Sequence, residues 1–343
     1  MPSLVPAPRP GRLRISALAL AGAAALFSGA APAALAATAP ADTRSSTSEI
    51  VRAPVTLPET GSPDATARAR AHWTPERMAA ASLASAAADD DAVPTSSGPS
   101  SRPAAQPLAA SAATAAPPIS IAQRVTPVSH IGRIFYTLNG QDYACSANVV
   151  KAANRSTVAT AAHCMTAKGA FATDAVFVPG YHDGDHDGDY GTWPVVGGVV
   201  AGGGYTEDND DLGDDAGFEV VALDADGRNI QSVVGASPVL FDQPLVKEGT
   251  VYGYPAARRF DGESLQRCRG VFQRESADQI NLPCDMNEGV SGGPIFAGDD
   301  ANGAQYADED ARYDDYSHIL GPIWQANEHT AYDGAARIQP AEG

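Results

Sequence analysis

The stretch Gly-Val-Ser-Gly-Gly-Pro at residues 289–294 places one serine among three glycines, directly before a run of β-forming residues. Because glycines surround it, the hydroxyl group of Ser291 is expected to be exposed. Glycines at positions 289 and 292 can adopt the positive φ angles that other residues avoid. The amide groups of Gly289 and Ser291 could then donate to the oxygen of a bound carbonyl group. Taken alone, the stretch also fits a plain glycine-rich turn before a strand.

A second stretch, Thr-Ala-Ala-His-Cys at residues 160–164, contains the base that such a serine would need. A serine hydroxyl is a weak nucleophile at neutral pH unless a group such as histidine takes its proton. His163 follows a β-rich run, and its neighbours are too small to bury its ring. This argues against a purely structural histidine.

The third group required is a carboxylate that fixes the orientation and the tautomer of the imidazole. Many acids lie between His163 and Ser291, and most stand in polar runs that are typical of solvent-exposed loops. Asp215 differs because small residues and then an apolar run follow it directly. We therefore predict that Asp215 is half-buried and orients His163. Asp214 is the alternative, and its side chain is expected to lie in solvent.

Residues 119–343 contain short β-rich runs separated by turn residues. The runs lie at residues 134–138, 149–150, 157–160, 175–178, 195–200, 218–223, 239–241, 250–254, 279–282, 294–296 and 318–324. This spacing is typical of an antiparallel barrel or sandwich, and long helical periodicity is absent from it. The sequence therefore predicts an all-β domain, built either as one large unit or as a pair of small barrels.

The three stretches, in this chain order, resemble the T-A-A-H-C, D-x-[AG]-apolar and G-D-S-G-G-P motifs of the trypsin- and chymotrypsin-like serine peptidases, in particular of their secreted bacterial members. The resemblance covers about residues 119–338 and implies two antiparallel β-barrels. It implies a serine endopeptidase that hydrolyses proteins or peptides through an acyl-enzyme intermediate, without a cofactor. Ser291 would be the nucleophile, His163 the general base and then acid, and Asp215 the orienting carboxylate. The amides of Gly289 and Ser291 would form the oxyanion hole.

All four cysteines, Cys145, Cys164, Cys268 and Cys284, lie in this region. An even number of cysteines in an exported chain indicates two disulfides, and the sequence leaves three pairings open. The resemblance favours Cys145–Cys164, which brackets His163, together with Cys268–Cys284. The cysteines lack the close spacing of a zinc cluster, so they predict no metal site.

Two positions depart from the family pattern. Val290 stands where the family has an acid, which in the animal enzymes pairs with the newly cut N-terminus. Aligning residues 321–324 (Gly-Pro-Ile-Trp) with the family's G-x-x-S strand places Trp324 in the substrate pocket. Asp285, six residues before Ser291, is the second predicted pocket residue, because a pocket for basic side chains would carry an acid there. These departures leave open a catalytically impaired, protease-like binding module.

The charge is strongly acidic, with a formal net charge of −18, and 33 of the 41 acids lie in residues 119–343. This balance argues against nucleic-acid binding and against docking on anionic lipid. The loop at residues 182–189 fits the first half of an EF-hand, but Pro194 stands where the bidentate glutamate should be. An EF-hand is therefore excluded. Weak Ca²⁺ binding by this loop, and with it an acidic Ca²⁺-dependent adhesion module, remain alternatives to a solvated loop. The acidic runs at residues 207–211 and 308–310 are expected to be solvated.

Residues 1–36 combine three arginines, an apolar run and a final Ala-Leu-Ala, which is the pattern of a cleavable secretory signal. The sequence therefore predicts a secreted, extracellular protein without stable membrane association after cleavage. In residues 37–118, Ala, Thr, Ser and Pro fill 55 of the 82 positions. Most of these side chains are small or polar, so they bury too little apolar surface for a sizeable core. We interpret this region as a pro-segment or a spacer. One helix is predicted in it, with Thr74 as cap, Pro75 in first position and an Ala-rich run to Ala88.

Overall fold

The computed structural model describes residues 51–88, 120–167, 169–185, 188–202 and 212–341. The predicted signal sequence lies outside these residues, as do the acidic run at 207–211 and two positions of the loop at 182–189. Within the described ranges, none of the helices combines the length and the apolar character needed to cross a membrane.

Strands dominate the described part of the chain. In chain order they are β1 (Val55–Thr56), β2 (Gln123–Arg124), β3 (Ile131–Leu138), β4 (Gln141–Val149), β5 (Thr157–Thr160), β6 (Thr166–Ala167), β7 (Ala170–Phe171), β8 (Thr173–Pro179), β9 (Trp193–Val200), β10 (Gly217–Val221), β11 (Lys247–Gly253), β12 (Gln266–Arg274), β13 (Gln279–Pro283), β14 (Pro294–Ala297), β15 (Gln305–Asp308), β16 (Ala311–Arg312) and β17 (His318–Pro322). The helices are α1 (Pro63–His72), α2 (Pro75–Ala88), α3 (Ile230–Val234) and α4 (Ala326–Ala335), with 3-10 turns at Ala162–Cys164 and Leu212–Asp214.

Six antiparallel strands form a closed first barrel in the order β9-β10-β5-β4-β3-β8, and β8 returns to β9 with Phe177 opposite Trp193. Successive side chains of a strand point to opposite faces, so alternate residues fill the interior. Along β3 these are Ile134, Tyr136 and Leu138, which share one core with residues of the other five strands.

A second antiparallel sheet follows the order β15-β14-β11-β12-β13-β17-β16 and curls around its own core. That core contains Val251 of β11, Phe272 of β12 and Ile280 of β13. A single antiparallel bridge between Ala307 and Ile323 joins the two ends of the curled sheet. The predicted all-β class with two antiparallel barrels is therefore confirmed.

Three connecting segments carry the residues that the sequence singles out. The 3-10 turn containing His163 follows β5, the turn ending at Asp214 precedes β10, and the loop with Ser291 joins β13 to β14. Disulfides join Cys145 to Cys164 and Cys268 to Cys284, the two pairs that the resemblance implies. The first ties the His163 turn to β4, and the second anchors the start of the Ser291 loop on β12.

Residues 51–88 differ from the sequence-based expectation. The predicted helix after Thr74 is present as α2, but the segment also supplies core residues that its composition did not predict. Trp73 and Met78 are buried against the outer side of the first barrel, and the Trp73 indole donates to the carbonyl of Asp174 at 2.6 Å. A few large side chains on one face are sufficient here, because the barrel provides the rest of the apolar surface.

Glu219 is an unusual residue of the first barrel. Its side chain is completely buried on β10, and neither carboxylate oxygen has a hydrogen-bond partner among the described residues. It lines a cavity of about 100 Å³ whose mouth is covered by Leu57 and Thr60. Burial without a compensating partner raises the pKa of the Glu219 carboxyl to about 8. The group is therefore expected to be protonated at neutral pH.

This carboxyl should make the stability of the fold depend on pH. The folded chain binds more protons than the unfolded one between pH 4.5 and about 8, so the stability contribution is present below that window and is lost as the pH rises through it. Replacing Glu219 by glutamine removes the titration. As the pH rises through this window, we expect the free energy of unfolding of Glu219→Gln to increase relative to that of the parent, by up to about 1.4 kcal/mol per pH unit.

Urea unfolding of both proteins at several pH values between 5 and 8 measures this difference. Both proteins carry Ser291→Ala, so that the nucleophile implied by the family resemblance is absent during the measurement. Glu248→Gln is the matched control, because the side chain of Glu248 on β11 is 58% exposed and paired with Arg269 at the surface. Parallel stability curves for Glu219→Gln and its parent would show that this carboxyl is already ionised in the folded chain.

Candidate active site

His163 and Asp215 meet through two hydrogen bonds. The backbone amide of His163 donates to Oδ1 of Asp215 at 2.8 Å, and the ring atom Nδ1 lies 2.7 Å from Oδ2. With an ionised carboxylate as acceptor, Nδ1 carries the ring proton and Nε2 is left as the basic nitrogen. The histidine side chain is 17% exposed, whereas Asp215 is completely buried. The burial of Asp215 is deeper than the half-buried position that the sequence predicts.

Asp214 has other partners and a different environment from the one expected. Its side chain is mostly buried, which corrects the expectation that it lies in solvent. Asn327 Nδ2 donates to Oδ1 at 2.8 Å, and the Arg52 guanidinium donates to Oδ2 at 3.1 Å. A mixed hydrogen-bond and ion-pair set of this kind stabilises a carboxylate below the surface. These two hydrogen bonds of its carboxylate lead to Asn327 and Arg52 rather than to His163.

The loop with Ser291 is held by Ser146, a residue of β4 that sequence reasoning missed as part of the site. The Ser146 amide donates to the carbonyl of Ser291 at 2.8 Å. Its hydroxyl donates to the carbonyl of Gly289 at 2.9 Å and accepts from the amide of Tyr254 at 2.9 Å. One side chain of the first barrel thus fixes the loop of the second. Its position directly after Cys145 is the only sequence signal for this role.

Glycines allow this loop to approach the His163 segment. Gly292 has a φ of +77°, and a Cβ there would overlap Thr160 Oγ1 and lie 2.8 Å from the backbone nitrogen of Ala161. Gly289 has a φ of +92°, and its Cβ would lie 2.8 Å from the carbonyl of Tyr254. Both positions have the positive φ that the sequence predicts. The segment that carries the nucleophile candidate therefore packs directly against the chain that leads into His163.

The predicted oxyanion donors are free of protein acceptors. The amides of Val290 and Gly292, which flank Ser291, donate to the carbonyls of Asn287 and Glu309. Among the described residues, no such bond uses the amides of Gly289 and Ser291. A backbone with this alternation presents two unpaired donors on one side, the arrangement that can bind a negatively charged oxygen.

Val290 belongs to the core of the second barrel. Its side chain is 1% exposed, and it packs against the backbone of Gly253 and against Ser146. An acid at this position would be buried among apolar groups, at a cost of several kcal/mol unless it found a partner. The valine that departs from the family motif is therefore a packing residue here.

The two predicted pocket residues have other roles. Trp324 is completely buried, packs edge-to-face with Phe218, stacks on Phe241, and donates its indole hydrogen to Asp308 at 2.7 Å. The prediction that Trp324 lines the substrate pocket is corrected by this burial. The sequence alignment that led to this prediction also used the wrong strand. The strand that pairs with β14, after Ser291, is β15 and not β17.

Asp285 is occupied by structural contacts. Its Oδ1 accepts the amide of Ala122 at 2.6 Å, and its Oδ2 forms an ion pair with Arg259 at 2.8 Å. A cationic substrate side chain would have to displace Arg259 to use this carboxylate. This position therefore does not support the predicted preference for Arg or Lys.

The acidic run at residues 308–310, expected to be solvated, is buried. Asp308 is 0% exposed, Glu309 2% and Asp310 7%. The run continues β15 past the Ser291 loop, and the amides of Glu309 and Gly292 exchange hydrogen bonds with the carbonyls of Gly293 and Glu309. Three acids in a row resemble a surface loop, and only the neighbouring apolar residues hint at a strand. These are functional-site residues that sequence reasoning missed.

Burial and neighbouring charge both act on these acids. Burial raises the pKa of Asp308 well above its usual range; the hydrogen bond from Trp324 opposes this rise, and the nearby charge of Asp215 adds a smaller increase. The pKa of Asp310 is raised in the same way by burial and by Asp215, while His163 and Gln279 act in the opposite direction. Both carboxyl groups therefore favour the neutral form.

A buried ion pair lies next to the Ser291 loop. Arg312, two residues after Asp310, pairs with Glu288, which also accepts a hydrogen bond from the Tyr316 hydroxyl at 2.9 Å. The Arg312 guanidinium lies over the Tyr316 ring. The opposite charges of Arg312 and Glu288 balance each other, so neither residue acts as an isolated charge.

The predicted Ca²⁺ loop is only partly described. Asp183 pairs with Arg124 at 2.7 Å, and Asp185 accepts the amide of Gly188 at 3.2 Å. These contacts use oxygens that a cation would need. Weak Ca²⁺ binding by this loop stays a prediction.

The fold and sequence are similar to those of solved proteases. The protease Anisep from Arthrobacter nicotinovorans is 37% identical with a TM-score of 0.60, over 63% of this chain and 100% of that chain. A thermostable serine protease, AL20, from an extremophilic microorganism is 35% identical with a TM-score of 0.57, over 61% of this chain and 97% of that one. A Glu endopeptidase in complex with MPD is 18% identical with a TM-score of 0.50, over 63% and 97%, which shows the fold alone.

The sequence matches no family model, and no curated protein matches it either. This chain nevertheless matches the complete length of Anisep, at an identity well above chance similarity. Protease-like neighbours imply a peptidase that acts on proteins or peptides. The chain belongs to the family of bacterial chymotrypsin-like serine proteases.

Proposed function

We propose that the protein is a secreted serine endopeptidase in which Ser291, His163 and Asp215 form the catalytic triad. The observation that carries this proposal is the two-point contact between Asp215 and His163, which fixes both the ring orientation and its tautomer. A buried carboxylate bound to Nδ1 leaves Nε2 available as a base, and this is what a serine nucleophile requires.

Acylation begins when Ser291 Oγ attacks the carbonyl carbon of the scissile peptide bond. His163 Nε2 takes the hydroxyl proton, and the carbonyl oxygen becomes an oxyanion that accepts hydrogen bonds from the Gly289 and Ser291 amides. The tetrahedral intermediate then breaks its C–N bond. The leaving amine takes the proton from His163, and the acyl group remains as an ester on Ser291.

Deacylation repeats these steps with water. A water molecule gives a proton to His163 Nε2 and attacks the ester carbonyl, which again places negative charge at the oxyanion position. When the C–O bond to Ser291 breaks, the proton returns from His163 to Oγ. The product acid leaves and the enzyme is restored. Asp215 stays ionised throughout and stabilises the imidazolium that forms in each half-reaction.

We further propose that residues 1–36 direct export, that 37–118 form a pro-segment and that 119–343 form the peptidase. Two disulfides favour an oxidising, extracellular compartment. Contacts of residues 51–88 with the first barrel, including the pair between Arg52 and Asp214, favour a pro-segment over a free spacer. Matches to complete proteases over 61–63% of this chain leave room for such a segment.

Covalent labelling tests the proposed activity. The full chain is expressed in a secreting host, and protein from the culture medium is treated with a fluorophosphonate probe and mapped by mass spectrometry. We expect the probe on Ser291, and no label in His163→Ala, because the hydroxyl is then not activated. N-terminal sequencing of the same sample tests the proposed boundaries. A protein that is folded but unlabelled would instead favour the protease-like binding module.

A further inference from the structure

Two buried carboxyl groups, Asp308 and Asp310, share an incomplete set of hydrogen bonds. Oδ1 of Asp308 accepts from the Trp324 indole at 2.7 Å, and Oδ2 of Asp310 accepts from Gln279 Nε2 at 2.9 Å. The second oxygen of each, Asp308 Oδ2 and Asp310 Oδ1, is buried and has no hydrogen-bond donor among the described residues. Each side chain therefore has one donor from a neutral group and one oxygen left over.

Both carboxyl groups lie close enough to Asp215 for their charges to interact. Asp308 and Asp310 each interact electrostatically with Asp215, and Asp310 also interacts with His163. Their anchors explain this placement. Trp324 packs on Phe218, three residues after Asp215. Gln279 follows Asp278, whose carboxylate lies against the backbone of Gly213, two residues before Asp215.

Within the described part of the chain, neither Asp308 nor Asp310 forms an ion pair, while the nearby Arg312 is paired with Glu288. The remaining ionisable neighbours of Asp308 are Asp310 and Glu328, both acids. Glu309, the residue between the two, is also an acid. Several adjacent carboxylates cannot all ionise in a dry interior.

The two buried oxygens without hydrogen-bond donors, Asp308 Oδ2 and Asp310 Oδ1, also indicate that not all of these acids are ionised. A carboxyl oxygen accepts hydrogen bonds when ionised, and it becomes a donor when it carries the proton. A buried carboxyl oxygen without a hydrogen-bond donor is less costly when its group is protonated and neutral than when the group is ionised. The geometry is thus consistent with protons held on the acids that surround Asp215.

We infer that Asp308 and Asp310 are positioning residues of the active site, held as neutral carboxylic acids that support the single charged carboxylate, Asp215. The inference rests on the proposed function, because it assigns these residues to the proposed triad. Their neutrality keeps one negative charge beside the imidazole. A second charge there would favour the imidazolium form of His163 and remove the base that activates Ser291.

The protonation state is testable without turnover. The full chain carrying Ser291→Ala is labelled with ¹³C on its histidines, and the His163 signal is assigned by its loss in a His163→Gln sample. We expect Asp310→Asn and Asp308→Asn to leave the titration midpoint of the His163 ring within about 0.3 pH unit. Asp215→Asn is the positive control and should lower it by about 1 unit or more. A drop of that size in Asp310→Asn or Asp308→Asn would mean that the acid is charged, and would overturn the inference.

An infrared measurement on the otherwise unaltered side chains covers the case in which these variants fail to fold. A protonated carboxyl group has a carbonyl stretching band that an ionised one lacks. With ¹³C-aspartate labelling, Ser291→Ala protein at pH 7 should show a shifted band from protonated aspartate, distinct from the unlabelled Glu219. If no aspartate band appears, the acids are ionised and the inference is wrong.

Kinetics of the active protein test the positioning role. Asp310→Ala should lower kcat roughly 10–100-fold with little change in KM, because Asp215 loses support while substrate binding surfaces remain. Asp310→Asn keeps the shape and a donor, so it should recover most of that loss. Parental kcat in Asp310→Ala would remove the positioning role. Because the spectroscopic tests use an inactive variant, a failure of the proposed protease activity would be recognised separately by the labelling of Ser291.

Discussion

Replacement of Ser291 by alanine is expected to lower kcat by roughly 10⁶-fold, the largest loss of any single change in the protein. The neighbouring hydroxyl groups of Ser146 and Thr160 donate to backbone carbonyls, so neither is expected to form the acyl ester in its absence. The variant should fold normally, since Ser146 holds this loop through the backbone carbonyls of Ser291 and Gly289. Hydrolysis of a denatured protein, with urea unfolding alongside, measures both effects.

Ser317→Ala is the matched control for this change. Ser317 lies in the turn before β17, and its hydroxyl interacts with the ring of His318 and with the carboxylate of Asp315, away from the Ser291 loop. The same serine-to-alanine change there should leave kcat within about twofold of the parent. Parental cleavage by Ser291→Ala would disprove the nucleophile assignment, and the binding-module alternative would then have to be reconsidered.

Local signals in the sequence predict a large part of the fold and of the site. The run at 157–160 coincides with β5, the helix after Thr74 begins at Pro75, and the two glycines beside Ser291 have positive φ. Each of these depends on neighbours within a few residues, through capping, alternation or the lack of a Cβ. The His163–Asp215 contact spans 52 residues; the small and apolar residues after Asp215 predicted it, and the resemblance of both motifs to a known family supported that prediction.

The sequence analysis did not predict two elements that lack a continuous run of large apolar residues, β12 and α4. β12 alternates arginines and glutamines on its outer face with Cys268 and Phe272 inside, so it lacks a continuous apolar run. α4 contains a glycine and few large apolar residues, and its burial depends on Phe218 and Trp324 from other elements. In both cases the apolar surface that stabilises the element comes from residues distant in the chain, which composition cannot show.

The buried acids show this limit most clearly. Asp308 and Asp310 depend on donors 16 and 31 residues away, Trp324 and Gln279. No local pattern distinguishes such a pair from solvated loop charges. The misplacement of Trp324 in the substrate pocket has the same origin, since a glycine-containing strand near the C-terminus matched a short family motif by chance. Motifs with a defined geometry, such as the serine among glycines, are more reliable than single residues aligned by position.

Replacement of Asp215 by asparagine is expected to lower kcat by about 10⁴-fold, as in the family's triad template, while the fold is retained. An asparagine can keep the bond from the His163 amide with its side-chain oxygen, and its NH₂ group then faces Nδ1 and donates to it. The ring then favours the tautomer with the proton on Nε2, where it cannot accept the proton of Ser291. Rates measured over a pH series, with KM determined separately, should show the loss in kcat.

Asp214→Asn provides the comparison that makes this result specific. It removes the same charge one residue away, from a carboxylate whose oxygens contact Asn327 at 2.8 Å and Arg52 at 3.1 Å. We expect kcat to stay within about tenfold of the parent, with a modest loss of stability, because its Arg52 pair is partly exposed and weak. A severe loss in Asp214→Asn together with a mild one in Asp215→Asn would move the orienting role to Asp214. Equal losses in both would point to the total charge of this buried segment, rather than to one hydrogen-bonded carboxylate, as the property on which His163 depends.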